Sequence, residues 1–152
     1  MDQFNLYTVV PRDCVDWTKY VSGRWEEQER GDEIRSRWVL RQFKRGDPRD
    51  DVFAVASTGA TSKIIDYIGV SRGLVFFTAD AKNAFWHVPI DEDCYTDAPG
   101  EWTERNAHKY DELVMWKLNR EWYGRRATGT RWVNWLADVL VELGFERCSV
   151  AP

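Results

Sequence analysis

The residue whose position most suggests chemistry is Asp80, which follows directly on the apolar run 74–79. An apolar run of this length predicts a strand buried on both faces of a sheet. A carboxylate at the rim of such a sheet must be paired, hydrogen-bonded or bound to a cation. Phe85 lies five residues later, close enough to form an apolar wall beside the acid. The alternative is that Asp80 only caps the turn after the strand.

A second candidate for chemistry is a set of arginines with the spacing of a strand. Residues 34–43 alternate in polarity, so Arg35, Arg37 and Arg41 share one face of a predicted strand. Guanidinium groups aligned in this way suit bidentate contacts with phosphates. The alternative is a half-buried strand whose solvent-facing side is basic.

Charge is distributed unevenly along the chain, although its formal net charge is only −4. Segment 35–45 has five cations and no anion, and segment 117–131 has five cations against Glu121 alone. The segment between them, 91–112, contains eight acids. The two basic segments either line a groove for a phosphate backbone or form ordinary solvated faces. The cations of the second segment are Lys117, Arg120, Arg125, Arg126 and Arg131.

Periodicity predicts the elements that must position these side chains. A helix is expected over 58–70, strands over 74–81 and 113–118, and a final helix that ends at Gly144. Thr128 or Thr130 is expected to cap the final helix. Loops are expected over 46–51 and 89–102, with a short extended piece over 52–56 and an irregular or partly helical lead-in before residue 34.

Composition narrows the class of protein. At 152 residues and 43% apolar content, the chain can build one domain core. It shows no signal peptide and no apolar stretch long enough to span a bilayer, so no membrane partner is expected. Three widely separated cysteines argue against a disulfide framework or a zinc cage and favour an intracellular location, cytoplasmic or nuclear. The two histidines have no spacing typical of a nucleophilic hydrolase.

Four blocks of sequence are similar to a known family. Segment 78–87, Thr-Ala-Asp-Ala-Lys-Asn-Ala-Phe-Trp-His, resembles the first palm motif of copia-type retrotransposon reverse transcriptases, usually Asp-Val-Lys-Asn-Ala-Phe-Leu-His. Segment 35–43 is similar to the family's Lys-Ala-Arg-Leu-Val-Ala-Lys-Gly-Phe, and segment 90–100 to its acidic stretch before Pro-Pro-Gly. Downstream, the spacing of Leu-Tyr-Gly-Leu-Lys-Gln-Ala-Pro-Arg-Ala-Trp is kept by Leu118, Tyr123, Gly124 and Trp132.

The resemblance implies an α+β fold, part of a right-hand polymerase, in which a mainly antiparallel sheet packs with helices. After the lead-in 1–33, segment 34–73 corresponds to the fingers and segment 74–152 to an incomplete palm. The implied activity is template-directed DNA synthesis with two Mg²⁺ ions. Its partners are an RNA or DNA template-primer and deoxynucleoside triphosphates.

The resemblance also implies roles for individual residues. Asp80 would be catalytic and would ligate metal together with the carbonyl of Ala81. Phe85 would lie against the sugar and exclude a 2′-hydroxyl, while Arg35 and Arg37 would bind the triphosphate. The nucleic acid backbone would be contacted by Arg41, Lys117, Arg120, Arg125 and Arg126.

This sequence departs from the family in its metal site. The family completes the site with a Tyr-x-Asp-Asp hairpin, a motif that these 152 residues do not contain. We therefore expect an incomplete copy that does not polymerise alone. The alternatives are a non-catalytic module that binds nucleic acid or protein, and a transposon relic. An exposed sheet edge would offer such a module a route to self-association. A smaller departure is Gln42, which stands where the family has glycine.

Overall fold

The computed structural model describes residues 4–42 and 59–147. Its strands are β1 (Tyr7–Pro11), β2 (Gly23–Arg30), β3 (Glu33–Leu40), β4 (Tyr95–Thr96) and β5 (Val114–Leu118). Its helices are α1 (Gly59–Ser71), α2 (Gly100–Asn106) and α3 (Thr128–Glu142). Short 3₁₀ turns cover Arg12–Cys14, Trp17–Lys19, Ala84–His87 and Ala107–Lys109. The predicted loop at 46–51 and the extended piece at 52–56 lie outside the described residues.

The body of the protein is a three-stranded antiparallel sheet in the order β1-β5-β4. Val9 on β1 lies opposite Trp116 on β5, and the Tyr7 and Trp116 rings stack with their centroids 3.8 Å apart. Successive side chains of β5 point to opposite faces of the sheet, so both faces must be covered by other apolar residues. Apolar residues from several elements provide this cover and complete the core. The buried members are Leu6, Leu40, Cys94, Trp116, Leu118 and Trp122.

Strands β2 and β3 form a separate two-stranded hairpin. Trp25 pairs with Trp38, and Gly31 makes the turn with a positive φ of 61°. Only the end of the hairpin nearest Leu40 packs into the core, while most of its residues are exposed. The hairpin therefore projects from the body and carries Arg35 and Arg37 outward.

Mixed helix and antiparallel sheet confirm the α+β class. Helix α3 ends as expected, because Gly144 adopts a φ of 93° and its N–H donates to Val141 at 2.9 Å. The N–H of Phe145 then donates to Leu140 at 3.0 Å, which completes a Schellman motif. The predicted threonine cap is wrong. Ala127 precedes the helix without a side-chain cap, and Thr128 is its first residue.

The expectation of an irregular lead-in is also wrong, because β1 and β2 both lie before residue 34. β1 forms one side of the central sheet, with Val10 opposite Met115 on β5. This short apolar segment forms a strand because it pairs with β5, which lies more than 100 residues later in the sequence. Local periodicity carries no information about such a partner.

The apolar run 74–80 does not form the buried strand that its composition predicts. Val75 is 96% exposed and Phe77 is 90% exposed. Among the described residues, the sheet consists of β1, β5 and β4, and residues 74–80 pair with none of these strands. An apolar run becomes buried in a sheet only through such pairing and cover.

Two further expectations concern a membrane partner and self-association through an exposed sheet edge. Within the described ranges, no helix combines the length and the apolar character that crossing a bilayer requires. The contacts of the described residues give no support to the predicted self-association.

Candidate functional site

A cavity of about 400 Å³ lies where the β2–β3 hairpin meets the body. Three parts of the chain that are distant in sequence converge on it: the hairpin, the turn that begins at Asn83, and the segment after β5. The lining residues that carry charge are the two predicted phosphate ligands, Arg35 and Arg37, while the remainder are mostly aromatic: Trp25, Trp38, Trp86, Trp122 and Tyr123. A cavity of this kind combines cationic groups for an anion with flat rings for stacking.

Tyr123 lies at the centre of this arrangement. Its ring packs against the Phe85 ring with the centroids 4.7 Å apart and the planes at 57°. The guanidinium of Arg37 lies over the same ring, 5.4 Å from its centroid, in the range of a cation–π contact. Two of the predicted substrate-binding residues, from different elements, therefore share one aromatic neighbour.

The turn that carries Phe85 is held by local geometry. Asn83 adopts a left-handed conformation, with φ 56°, that asparagine tolerates better than most residues. The N–H of Trp86 donates to the Asn83 carbonyl at 2.9 Å. His87 closes the turn, with its Nε2 3.2 Å from the Lys82 carbonyl. His87 thus has a structural role in this turn.

The segment 122–124 is joined to the end of β3 by hydrogen bonds. The N–H of Leu40 donates to the Tyr123 carbonyl at 2.8 Å, and the Trp122 indole N–H donates to the Trp38 carbonyl at 2.7 Å. Gly124 is required here, because it has a φ of 87° and a Cβ atom would lie 1.9 Å from the Leu40 carbonyl oxygen. These contacts fix Tyr123 relative to the arginines of β3.

Gln42, the departure from the family's glycine, has a structural use at this junction. Its side-chain oxygen accepts a hydrogen bond from the backbone N–H of Arg126 at 2.9 Å. A glycine would leave that N–H without this acceptor. The side chain thus adds a link between the end of β3 and the segment that leads into α3.

A sequence profile described as "Reverse transcriptase (RNA-dependent DNA polymerase)" matches residues 6–151. The chain belongs to this family. The match begins at residue 6, so it includes β1 and the whole hairpin, and it extends beyond the four blocks on which the resemblance rested. Comparison with curated proteins and with solved structures gave no match.

Reverse transcriptases use divalent metal ions, and the described residues can be tested for such a site. Asp80 and Ala81 lie in an exposed segment without regular secondary structure, before the Asn83 turn. Among residues 4–42 and 59–147, no three His, Cys, Asp or Glu side chains are grouped so that they could hold a metal ion. One carboxylate does not fit a pair of Mg²⁺ ions, which need oxygen ligands on both.

The five cations expected on a nucleic acid backbone lie in different environments. Lys117 pairs with Asp93 at 2.7 Å, and this hydrogen bond raises the pKa of the Lys117 ammonium. Arg120 donates to the backbone carbonyls of Phe4 and His87, both at 3.2 Å. Arg125 is a core residue rather than a surface cation. Of the remaining two cations, Arg41 is exposed, and Arg126 is half-buried like Lys117 and Arg120.

Arg125 belongs to a buried cluster of ion pairs that the sequence pattern did not suggest. Glu121 is fully buried and accepts hydrogen bonds from Arg125 at 2.7 Å and from Arg131 at 2.6 Å. Its other oxygen accepts from the hydroxyl of Thr128 at 2.7 Å. Glu92 also pairs with both arginines. Acids and bases thus neutralise one another inside the protein, between the segment after β5 and the start of α3.

The surrounding carboxylates favour the charged form of Arg131. Burial alone would lower the pKa of the Arg131 guanidinium, but the hydrogen bond that it donates to Glu121 and the charges of Glu121, Asp91 and Glu92 outweigh burial and raise that pKa. The signal that was available in the sequence is the single acid within a basic segment, four residues before Arg125.

Proposed function

We propose that this chain is the fingers and front palm of a copia-type reverse transcriptase, and that the cavity beside Tyr123 binds the incoming deoxynucleoside triphosphate. The fingers correspond to residues 34–73 and the front palm to residues 74–152. The observation that carries the proposal is the shared contact of Tyr123 with Arg37 and Phe85.

The charges and shapes around the cavity suit the parts of a nucleotide. Arg35 and Arg37 project from neighbouring positions of one strand face and would neutralise the triphosphate. The ring face under Arg37 restricts its guanidinium while leaving its N–H groups able to donate. Phe85, packed on Tyr123, would present its edge to the sugar and exclude a 2′-hydroxyl.

The same proposal assigns template or primer contacts to Arg41 and Arg126. Arg41 and Arg126 stand on the two segments that Gln42 joins, so both would face one side of a bound duplex. Lys117 would contact the nucleic acid backbone only if its ion pair with Asp93 broke. Such contacts are sequence-independent and weaken with salt, because bound cations displace counterions from the backbone.

Metal binding requires more than these residues supply. Asp80 and the Ala81 carbonyl are the proposed contribution of this segment to a magnesium site. The remaining carboxylates would come from a Tyr-x-Asp-Asp sequence, which is not among the 152 residues. We infer that these residues bind nucleotide but do not by themselves extend a primer.

Nucleotide binding is tested by titrating a deoxynucleoside triphosphate while following tryptophan emission, since four tryptophans line the cavity. Arg37→Ala should weaken binding at least about tenfold, because a charge-assisted contact is lost. Arg24→Ala is the matched control, an exposed arginine of the same hairpin that pairs with Glu26. Equal losses in the two variants, or no binding by the unaltered chain, would overturn the proposed site.

Primer extension with Mg²⁺ or Mn²⁺ tests the metal-site inference separately. We expect no nucleotide incorporation by the 152-residue chain. Robust incorporation that Asp80→Ala abolishes would show that the residues present do complete a catalytic centre.

A second candidate is a non-catalytic module that retains only a nucleic acid groove. Two observations favour it: among the described residues no carboxylates group with Asp80 as a metal site would require, and the chain has two segments rich in cations, 35–45 and 117–131. Its signature would be binding to an RNA–DNA duplex that falls steeply with salt, without any nucleotide binding by the cavity.

A further inference from the structure

The angle between the hairpin and the body determines the shape of the cavity. Arg35 and Arg37 lie on the projecting part of β3, where most residues are exposed. Two-stranded ribbons are marginally stable and twist easily on their own. A contact between the hairpin and the body beyond that base would further restrict the orientation of the hairpin.

One such contact joins β2 to α2. The indole N–H of Trp25 donates to a carboxylate oxygen of Glu101 at 3.2 Å. The two residues are 76 positions apart, so the bond links separate parts of the fold. Glu101 lies in the first turn of α2, where the helix dipole favours a negative charge. The acceptor is a carboxylate oxygen, and hydrogen bonds to carboxylates are stronger than those between neutral groups.

Trp25 transmits this constraint to the cavity. Its ring lies edge-to-face with Trp38, with the centroids 5.4 Å apart and the planes at 74°. Both rings line the cavity, and the Trp38 indole is itself packed against Gly23, where a Cβ atom would approach it to 2.4 Å. A change in the orientation of Trp25 would consequently move the wall of the cavity.

We propose that Glu101 is a positioning residue for nucleotide binding: it holds Trp25, and through Trp25 it fixes the aromatic wall of the cavity. The inference rests on the proposed function of that cavity. Glu101 itself touches no nucleotide, and it lies outside the four sequence blocks on which the family resemblance was based.

The experiment compares Glu101→Ala, Glu101→Gln and the matched control Glu104→Ala, an exposed acid of the same helix. Each protein is labelled with 5-fluorotryptophan, and the fluorine resonance of Trp25 is assigned with Trp25→Phe. Glu101→Ala should shift that resonance and weaken binding of the triphosphate about fivefold, the effect of one hydrogen bond. Glu101→Gln keeps an acceptor oxygen but no charge, so both values should lie between those of Glu101→Ala and the unaltered chain.

Several results would overturn the inference. They are a Trp25 resonance that does not respond to Glu101→Ala, an equal shift in Glu104→Ala, and a shift without any loss of affinity. Urea midpoints that stay equal among the variants exclude unfolding as the cause of weaker binding. If the unaltered chain binds no nucleotide, the proposed function fails, while the fluorine shift still decides whether Glu101 holds Trp25.

Discussion

Glu121 and Arg125 form an ion pair of 2.7 Å in which the side chains are 0% and 2% exposed. Because Arg131 and Thr128 donate to the same carboxylate, this pair also holds the first turn of α3. The segment between Glu121 and Arg125 carries Tyr123, the ring beneath the proposed nucleotide site. A buried charge cluster therefore supports the floor of that site from behind.

The first prediction concerns this cluster. Glu121→Gln should lower the free energy of unfolding by about 3–5 kcal/mol, because the buried guanidinium of Arg125 and the half-buried one of Arg131 lose their shared anion. The measurement is urea unfolding followed by tryptophan emission. Glu26→Gln, which removes an exposed pair with Arg24, should cost under about 1 kcal/mol. Equal losses in the two variants would show that the cluster is not buried in solution.

The buried cluster also shows what the sequence could not predict. Segment 117–131 has the composition of a solvated basic face, and its burial depends on Glu92, a residue from a distant loop. The strand of residues 33–40, the helix from 59 and the final helix were predictable, since their periodicity is local. Strand pairing of β1 with β5 and the position of 74–80 depend on contacts far apart in sequence, which periodicity does not encode.

The candidate site, like the fold, could be predicted from the sequence only in part. Period-2 spacing was sufficient to place Arg35 and Arg37 on one strand face. Their approach to Phe85 depends on the hydrogen bond between Leu40 and Tyr123, and only the family resemblance suggested that these segments belong to one site.

The second prediction concerns Gly124. Gly124→Ala combines a strained φ with a Cβ atom 1.9 Å from the Leu40 carbonyl oxygen, so the junction with β3 must open. Gly144→Ala has a similar φ of 93° and no neighbour within 4 Å, so it should cost only the strain, about 1 kcal/mol. Thermal unfolding should show a clearly larger loss for Gly124→Ala. A loss no larger than that of Gly144→Ala would mean that the junction is loosely packed.

The third prediction concerns alkaline pH. Burial, and then the hydrogen bond that Tyr20 donates to Asp97, raise the pKa of the Tyr20 phenol from 10.0 to about 12. A raised pKa of an acid means that folding favours the protonated form. The stabilisation is therefore complete below pH 10 and is lost as the pH rises from 10 through about 12.

Tyr20→Phe removes both the hydrogen bond and the titration. The difference in unfolding free energy between the unaltered chain and this variant should be constant below pH 10 and decrease above it. Urea unfolding at a series of pH values measures that difference. A difference that does not change across the interval would show that Tyr20 titrates normally in the folded protein.

The last prediction concerns the apolar run that sequence reasoning placed in a buried strand. Phe77 is 90% exposed, so Phe77→Ser should change the free energy of unfolding by less than about 0.5 kcal/mol. Leu118→Ala, in the fully buried part of β5, should cost about 2–5 kcal/mol in the same urea experiment. A loss for Phe77→Ser as large as that for Leu118→Ala would mean that residues 74–80 are covered in solution. The strand predicted from composition would then be correct, and Asp80 would lie at the rim of a sheet.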